Sequence, residues 1–291
     1  MDFSRSEPVG SRFLKCHGLS DICVTLRDGT EIDCLQKIYP VGRYIAAAFA
    51  GDVETGFEMI DALRRMADLK DERLSCNPHS ISGEWPPVAR QIFAQAPTEN
   101  QENTCATMVI SAHPQEHTGN PAHPRSHVHI FRSPNFEAEA VAVHKLGSIG
   151  SGSQFGPFRD AIEQYSNDYK RREIFMQGEV GTPGGMGTML GSSLTDILLR
   201  TEPRWVSSHL HYCWVYRGRI IVKTNDHRRK GRWSLIDHGS GVNADPADAA
   251  IQSSHRDPDA LHFEMPQVAT SWDELQTMLS AMGATAAGCR A

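Results

Sequence analysis

Asp21-Ile22-Cys23, Lys37-Ile38-Tyr39-Pro40-Val41 and Ile45-Ala46-Ala47-Ala48-Phe49-Ala50-Gly51-Asp52 follow one another near the front of this chain and run into Val53. The stretch from Gly42 to Ala50 reads as a strand of small and aromatic residues, and small side chains there let a helix lie close against a sheet. That helix starts at once. Val53, Phe57, Ile60, Leu63, Met66 and Leu69 recur in steps of three and four, with Glu54, Glu58, Arg64, Arg65 and Asp68 mainly on the opposite side. This is the period of an amphipathic helix with one buried face.

Working outward, Met108-Val109-Ile110-Ser111 is a short apolar strand. His127 to Phe131 and Ala138 to Val143 are two more, separated by the turn signal Ser133-Pro134-Asn135. Phe158, Ile162, Tyr165 and Tyr169 form one helical stripe, and Met189, Leu190, Leu194, Ile197 and Leu198 another. Leu210 to Tyr216 and Arg219 to Thr224, joined at Arg217-Gly218, read as a hairpin. Strands, a helix, strands, two helices and strands make an α+β layered order, not alternating βαβ units. Two stretches break the pattern. Residues 71–103 hold Pro78, Pro86, Pro87 and Pro97, with a short helix expected only over Val88 to Ala96. Residues 226–270 are polar and rich in Gly, Asp and Pro, so a long loop is expected there. Ser271-Trp272-Asp273-Glu274 is a capping box that opens a last helix, with Leu275, Leu279 and Met282 on its apolar face and Gly283 at its end.

The order Asp21, Lys37, Ala50-Gly51-Asp52 and Gly150-Ser151-Gly152 resembles the proteasome-type N-terminal nucleophile (Ntn) hydrolases, a family that includes the bacterial two-tier peptidases. In that family an Asp ends the second strand, a Lys follows sixteen residues later, an Ala-Gly-Asp-like turn opens the first long helix, and a Gly-Ser-Gly turn opens the third. Here 37 − 21 is 16, and the likeness covers roughly residues 19–70 and 104–225. The resemblance implies a four-layer αββα sandwich over residues 19–225. Residues 1–18 would be an atypical N-terminal segment, 226–270 a polar loop, and 271–291 a C-terminal helix and tail.

What the resemblance implies chemically is amide hydrolysis by the hydroxyl or thiol of the first residue of a mature chain, with its own α-amine taking up the proton. Lys37 is then the lysine that lowers the pKa of that pair, Asp21 its partner, and Ser151 the serine near the terminal amine. Backbone N–H groups hold the developing oxyanion. The nucleophile itself is missing from its expected place. Sixteen residues before Asp21 is Arg5, flanked by Ser4 and Ser6, while the chain as written starts Met1-Asp2. Asp2 is a poor residue for ordinary removal of Met1, and Glu7-Pro8-Val9-Gly10 is a poor central strand. The expectation is a proteasome-subunit-like protein without a competent nucleophile, with no measurable peptidase activity in this form. The alternative is an amidohydrolase made active by trimming to Ser4 or Ser6. Either form is expected to be a homo-oligomer, because such subunits stack through the helices after the Gly-Ser-Gly turn. A peptide or protein is the substrate if the site is active, and no cofactor is called for.

Composition bounds the remaining classes. The 291 residues carry 29 basic and 35 acidic side chains, a net charge of −6, which offers no polyanion-binding surface. No apolar run approaches the roughly 20 residues of a membrane span, and the N-terminus lacks the apolar core of a signal peptide. A cytoplasmic protein, with neither nucleic acid nor membrane as partner, is expected. Seven scattered cysteines without a Cys-x-x-Cys pair argue against a disulfide framework and a thiolate zinc site, and read as small buried hydrophobes. His113, His117, His123, His127 and His129 invite a second alternative, a His-rich metal-binding protein. The prolines and glycine among them, Pro114, Gly119, Pro121 and Pro124, weigh against converging ligands.

Overall fold

Alternation along β4 (Ile38–Gly42) and β5 (Ile45–Ala50) determines the layering of the molecule. In the computed structural model these strands pair antiparallel, Ile38 with Ala48 and Tyr39 with Ala47. They continue through β6 (Ala106–Ser111), β7 (His127–Arg132) and β8 (Glu139–Ala140) into a five-stranded antiparallel sheet in sequence order. Successive side chains on a strand point to opposite faces. Tyr39, Ala47, Phe49, Val109 and Phe131 enter the large core, and Ile38, Ala46 and Ile110 a separate small one. The structure describes residues 16–42, 45–71, 80–111, 127–141, 147–151, 156–157, 159–160, 205–207, 209–216, 219–229, 232–237 and 266–291.

The large core is closed by α1 (Val53–Asp71) and α2 (Ser80–Gln95). Val53, Phe57, Ile60 and Leu63 of the expected stripe are buried, and Met59, Ala62 and Ala67 widen the buried arc. Tyr39, Phe49 and Phe57 form a ring cluster with centroids 5.5 to 6.1 Å apart. The helix α2 is longer than Val88 to Ala96. It starts eight residues earlier and carries Pro86 and Pro87 inside. Burial explains the extension: Ile81, Ser82 and Trp85 lie in the interior, and the Trp85 indole N–H donates to Thr107 Oγ1 at 2.9 Å.

A second antiparallel sheet has the order β1 (Cys16–Asp21), β9 (Leu210–Tyr216), β10 (Arg219–Arg229), β11 (Arg232–Asp237). The expected pairing of β9 with β10 is thus present, but residues 226–229 and 232–237 are strand where a polar loop was expected. Backbone pairing such as Thr224 with Ile236 and Arg229 with Arg232 builds those strands, through a register shift between Asn225 and His227. Cys213 of this sheet joins Ile38, Ala46 and Ile110 of the other. A Cβ on Gly18 would come 3.3 Å from Ile110 Cδ1, so the second sheet approaches the five-stranded one on the face away from the aromatic cluster.

Two short strands, β2 (Cys23–Thr25) and β3 (Glu31–Asp33), pair as a separate ribbon. A one-turn α3 spans Thr98–Gln101. The last helix, α4 (Trp272–Ala281), opens on Ser271, whose hydroxyl accepts from the Glu274 N–H. Its Leu275 and Leu279 are buried as expected, whereas Met282 is 59 % exposed, because it stands at the C-cap beyond the packed face. The stripes expected over 158–198, and the loop expected over 238–265, lie outside the described residues. The described architecture is a mixed α+β fold with a five-stranded antiparallel sheet at its centre. Among the described residues no helix is long and apolar enough to cross a membrane.

Candidate functional site

Asp21 ends β1 of one sheet and Lys37 precedes β4 of the other, so the site joins the two sheets. Lys37 Nζ is 2.9 Å from Asp21 Oδ1, and the same oxygen accepts the Cys23 N–H at 2.8 Å. Only 5 % of Lys37 is exposed. An ammonium at this depth needs a paired carboxylate, since desolvating either ion alone costs several kcal/mol. The backbone N–H two residues on fixes the carboxylate as it turns into β2, so the pair is positioned by the chain itself.

Beside it lies a group that sequence reading did not find. Asp33 Oδ2, at the end of β3, accepts from Ser207 Oγ at 2.6 Å and lies 2.8 Å from His209 Nδ1. The Ser207 hydroxyl also accepts the His209 N–H at 2.9 Å. Burial works to raise the Asp33 carboxyl. The hydrogen bonds from His209 and Ser207, with the charges of His209 and Lys37, outweigh it and hold the group below the usual carboxylate range. Ser207 Oγ, which donates to the carboxylate, also lies 3.3 Å from His209 Nδ1, so the three side chains are in mutual contact. They act as an anchored anion near Lys37. The only sequence signal was an Asp four residues before the lysine.

The cysteines around the pair are not nucleophiles. Burial first, then the Asp21 charge, pushes the Cys23 thiol up to about 12, and burial with the Asp33 charge takes Cys34 to about 11. Both stay protonated at neutral pH. Cys23, Cys34, Cys105, Cys213 and Cys289 are all free and buried, as small hydrophobes would be.

Gly51 directly follows β5. Its φ is +104°, and a Cβ there would lie 2.1 Å from the Thr104 carbonyl oxygen, so only glycine is accommodated. Asp52 follows it as the cap of α1, its Oδ1 accepting from the Thr55 N–H at 2.9 Å and from the Thr55 hydroxyl at 2.7 Å. The Gly150-Ser151 turn reaches the same edge, where a Cβ on Gly150 would be 2.9 Å from Ala50 Cβ. Ser151 itself is exposed. Asp21 and Lys37 are therefore brought together directly, while Gly150 brings its neighbour Ser151 to the end of β5.

The histidines take other roles. His127 and His129 are adjacent on one face of β7, with centroids 6.0 Å apart, and burial lowers the pKa of both. His129 Nδ1 pairs with Ser82 Oγ of α2 at 2.9 Å. No group of three metal-ligating side chains occurs among the described residues, and His113, His117 and His123 lie outside them. A depression of about 270 Å³ between α1 and the start of α4 is ringed by Glu54, Glu58, Asp61, Arg64 and Asp273, and contains none of the Lys37 group. No family model matches the chain, and no curated protein is detectably similar to it.

Proposed function

We propose that this chain is a proteasome-like protein of the Ntn-hydrolase fold, in which the Lys37–Asp21 pair is the electrostatic half of an amide-hydrolysing centre. The observation that carries the reading is the 2.9 Å ion pair at the expected spacing, with the lysine almost fully buried. A buried ion pair is costly compared with apolar side chains of the same volume, so its presence at a sheet end favours a use for its charge. The helices α1 and α2 over one sheet, with a second sheet beyond, support three layers of an αββα sandwich. The stripes Phe158 to Tyr169 and Met189 to Leu198 are the fourth layer in this reading, and the surface through which copies of the chain associate.

The chemistry follows from charge. A lysine ammonium close to a terminal amine and hydroxyl favours their deprotonated forms, so a first residue beside it becomes both base and nucleophile at neutral pH. A chain starting at Met1 does not combine the two on one residue, and that form is expected to leave peptide amides intact. Chains starting at Ser4 or Ser6 are the forms to compare with it, using a fluorogenic peptide amide. Turnover by a trimmed chain that falls by about a hundredfold or more in Lys37→Met would establish an active amidohydrolase. Trimmed chains that remain inert, yet form rings, would establish a non-catalytic subunit. Turnover indifferent to Lys37 would sink the reading altogether. N-terminal sequencing from the native host identifies the residue that bears the free amine.

A further inference from the structure

β10 and β11 run on past the sheet that holds them. β10 pairs with β9 only as far as Thr224, opposite His211, whereas its pairing with β11 continues from Asn225–Leu235 to Arg229–Arg232. Residues 225–229 and 232–235 therefore have each other as their only strand partners among the described residues. They form a two-stranded ribbon that continues beyond β9 by roughly 15 Å, at about 3.3 Å per residue. A ribbon of two strands is marginal in water by itself, so a surface that covers it stabilises it. Its sequence sets the chemistry of that surface. Asn225 to Leu235 carries Arg228, Arg229, Lys230 and Arg232 against one carboxylate, Asp226, in a chain whose net charge is −6.

An acidic counterpart lies on the other side of the molecule. The depression of about 270 Å³ between α1 and α4 is ringed by Glu54, Glu58, Asp61 and Asp273, with Arg64 as its one basic residue. Arg64 is already engaged: Asp61 Oδ1 is 2.9 Å away, and the Tyr39 ring centroid lies 5.4 Å from its guanidinium. Glu54, Glu58 and Asp273 enter no ion pair among the described residues. Partial desolvation, and then the charges of Glu54 and Asp52, raise the Glu58 carboxyl above its usual range, as crowded anions without a counter-charge do. Phe57 and Trp272 add aromatic surface to the depression, against which a guanidinium stacks. The depression is on the helix side of the five-stranded sheet, and the ribbon belongs to the second sheet on its opposite side. The two surfaces therefore meet between copies and not within one.

We infer that the β10–β11 ribbon of one copy docks by its basic residues into the acidic α1–α4 depression of a second copy of this chain. Two different surfaces meet in this contact, so its repetition closes a ring or runs on as a filament. Opposite charges steer the encounter and fix the register, and the aromatic wall holds the seated guanidinium. The inference rests on these two surfaces alone. It needs neither the Lys37–Asp21 centre nor the stripes Phe158 to Tyr169 and Met189 to Leu198, so it fails separately from the proposed function.

Sedimentation velocity of the full chain at low salt is the test. Arg228→Glu/Arg229→Glu/Arg232→Glu gives a chain with both surfaces acidic, and Glu58→Lys/Asp61→Lys a chain with both basic. Each variant alone is expected to associate about tenfold or more weakly than the wild type. An equal mixture of the two is expected to regain association, because each ribbon then finds a depression of opposite sign. Circular dichroism checks that both variants fold. Variants that associate as the wild type does overturn the inference and leave association to the two stripes. A mixture that stays dissociated, or a wild type that is monomeric at every salt concentration, overturns it as well. Should either variant fail to fold, the wild type decides. Its association is expected to weaken about tenfold or more as salt rises from about 0.05 to 0.5 M, and indifference to salt ends the idea. A monomeric wild type that binds a DNA oligonucleotide, with binding lost in the ribbon variant, would make the ribbon a polyanion arm and equally rule out the contact between copies.

Discussion

The face of the five-stranded sheet beneath α1 and α2 carries Tyr39, Phe49, Val109 and Phe131, whereas the face toward the second sheet carries Ile38, Ala46, Ala48 and Ile110. Rings fill the gap between helix and sheet, and Gly56 of α1 lies directly beneath the Phe49 ring. On the other face small residues let two sheets approach. The same strands thus solve two packing problems through the period of two along each strand. The Lys37–Asp21 ion pair stands at the end of β1 and just before β4.

The comparison breaks most readily on the ring face. Phe49→Ala should destabilise the protein by about 4 kcal/mol, since it removes a buried ring contacting two others. Urea unfolding followed by tryptophan fluorescence reads this, and a loss under 1 kcal/mol would mean that the ring cluster is not the main support. Lys37→Met comes next. It should cost about 2–3 kcal/mol, moderated from a fully buried case because Asp21 retains some exposure. The double variant Lys37→Met/Asp21→Asn should recover part of that loss, whereas strict additivity of the two would show that the charges do not interact.

On the small-residue face the perturbation has the opposite form. Ala46→Leu adds volume between the sheets and should cost about 1–3 kcal/mol by overpacking, where the same change on an exposed helix would be nearly neutral. Calorimetry of this variant beside Phe49→Ala tests whether the two faces differ in kind.

Asp33 provides the pH-dependent arm. Its carboxyl is held below the usual 3.8, so the stability it contributes is present above that value and is lost as pH falls through the folded pKa. Asp33→Asn should therefore flatten the acid limb of the stability curve below about pH 4 and change the slope little between pH 6 and 8. An unchanged acid limb would remove His209 and Ser207 as its partners. The smallest effect is expected at Ser271→Ala, about 0.5–1 kcal/mol, through loss of the α4 cap.

Local signals made much of this legible. The three- and four-residue steps from Val53 to Leu63 report a buried helical face because the pattern and the helix share a period. Asp21 and Lys37 were legible as a spacing, and the structure adds that the Cys23 N–H clamps their shared oxygen. The proline pair hid the first half of α2, since proline disfavours a helix locally. Burial of Ile81 and Trp85 overrides that preference. The polar run at Asn225 to Arg229 hid a strand for a related reason: strand pairing there is supplied by the backbone of β11, and composition does not report it.

Sequence by itself determined the elements with a strong internal period and the mixed α+β order, because each depends on residues close along the chain, while the Asp21–Lys37 pairing was expected from the family resemblance. Tertiary structure alone decided three things. Ser207 and His209 reach Asp33 across more than 170 residues. The second sheet settles on the small-residue face of the first. Residues 289–291 pair with Thr25 on one side and Gly51 on the other. All three rest on hydrogen bonds or contacts between distant segments, whose partners are set by where the layers bring the backbone and not by any pattern within a single stretch.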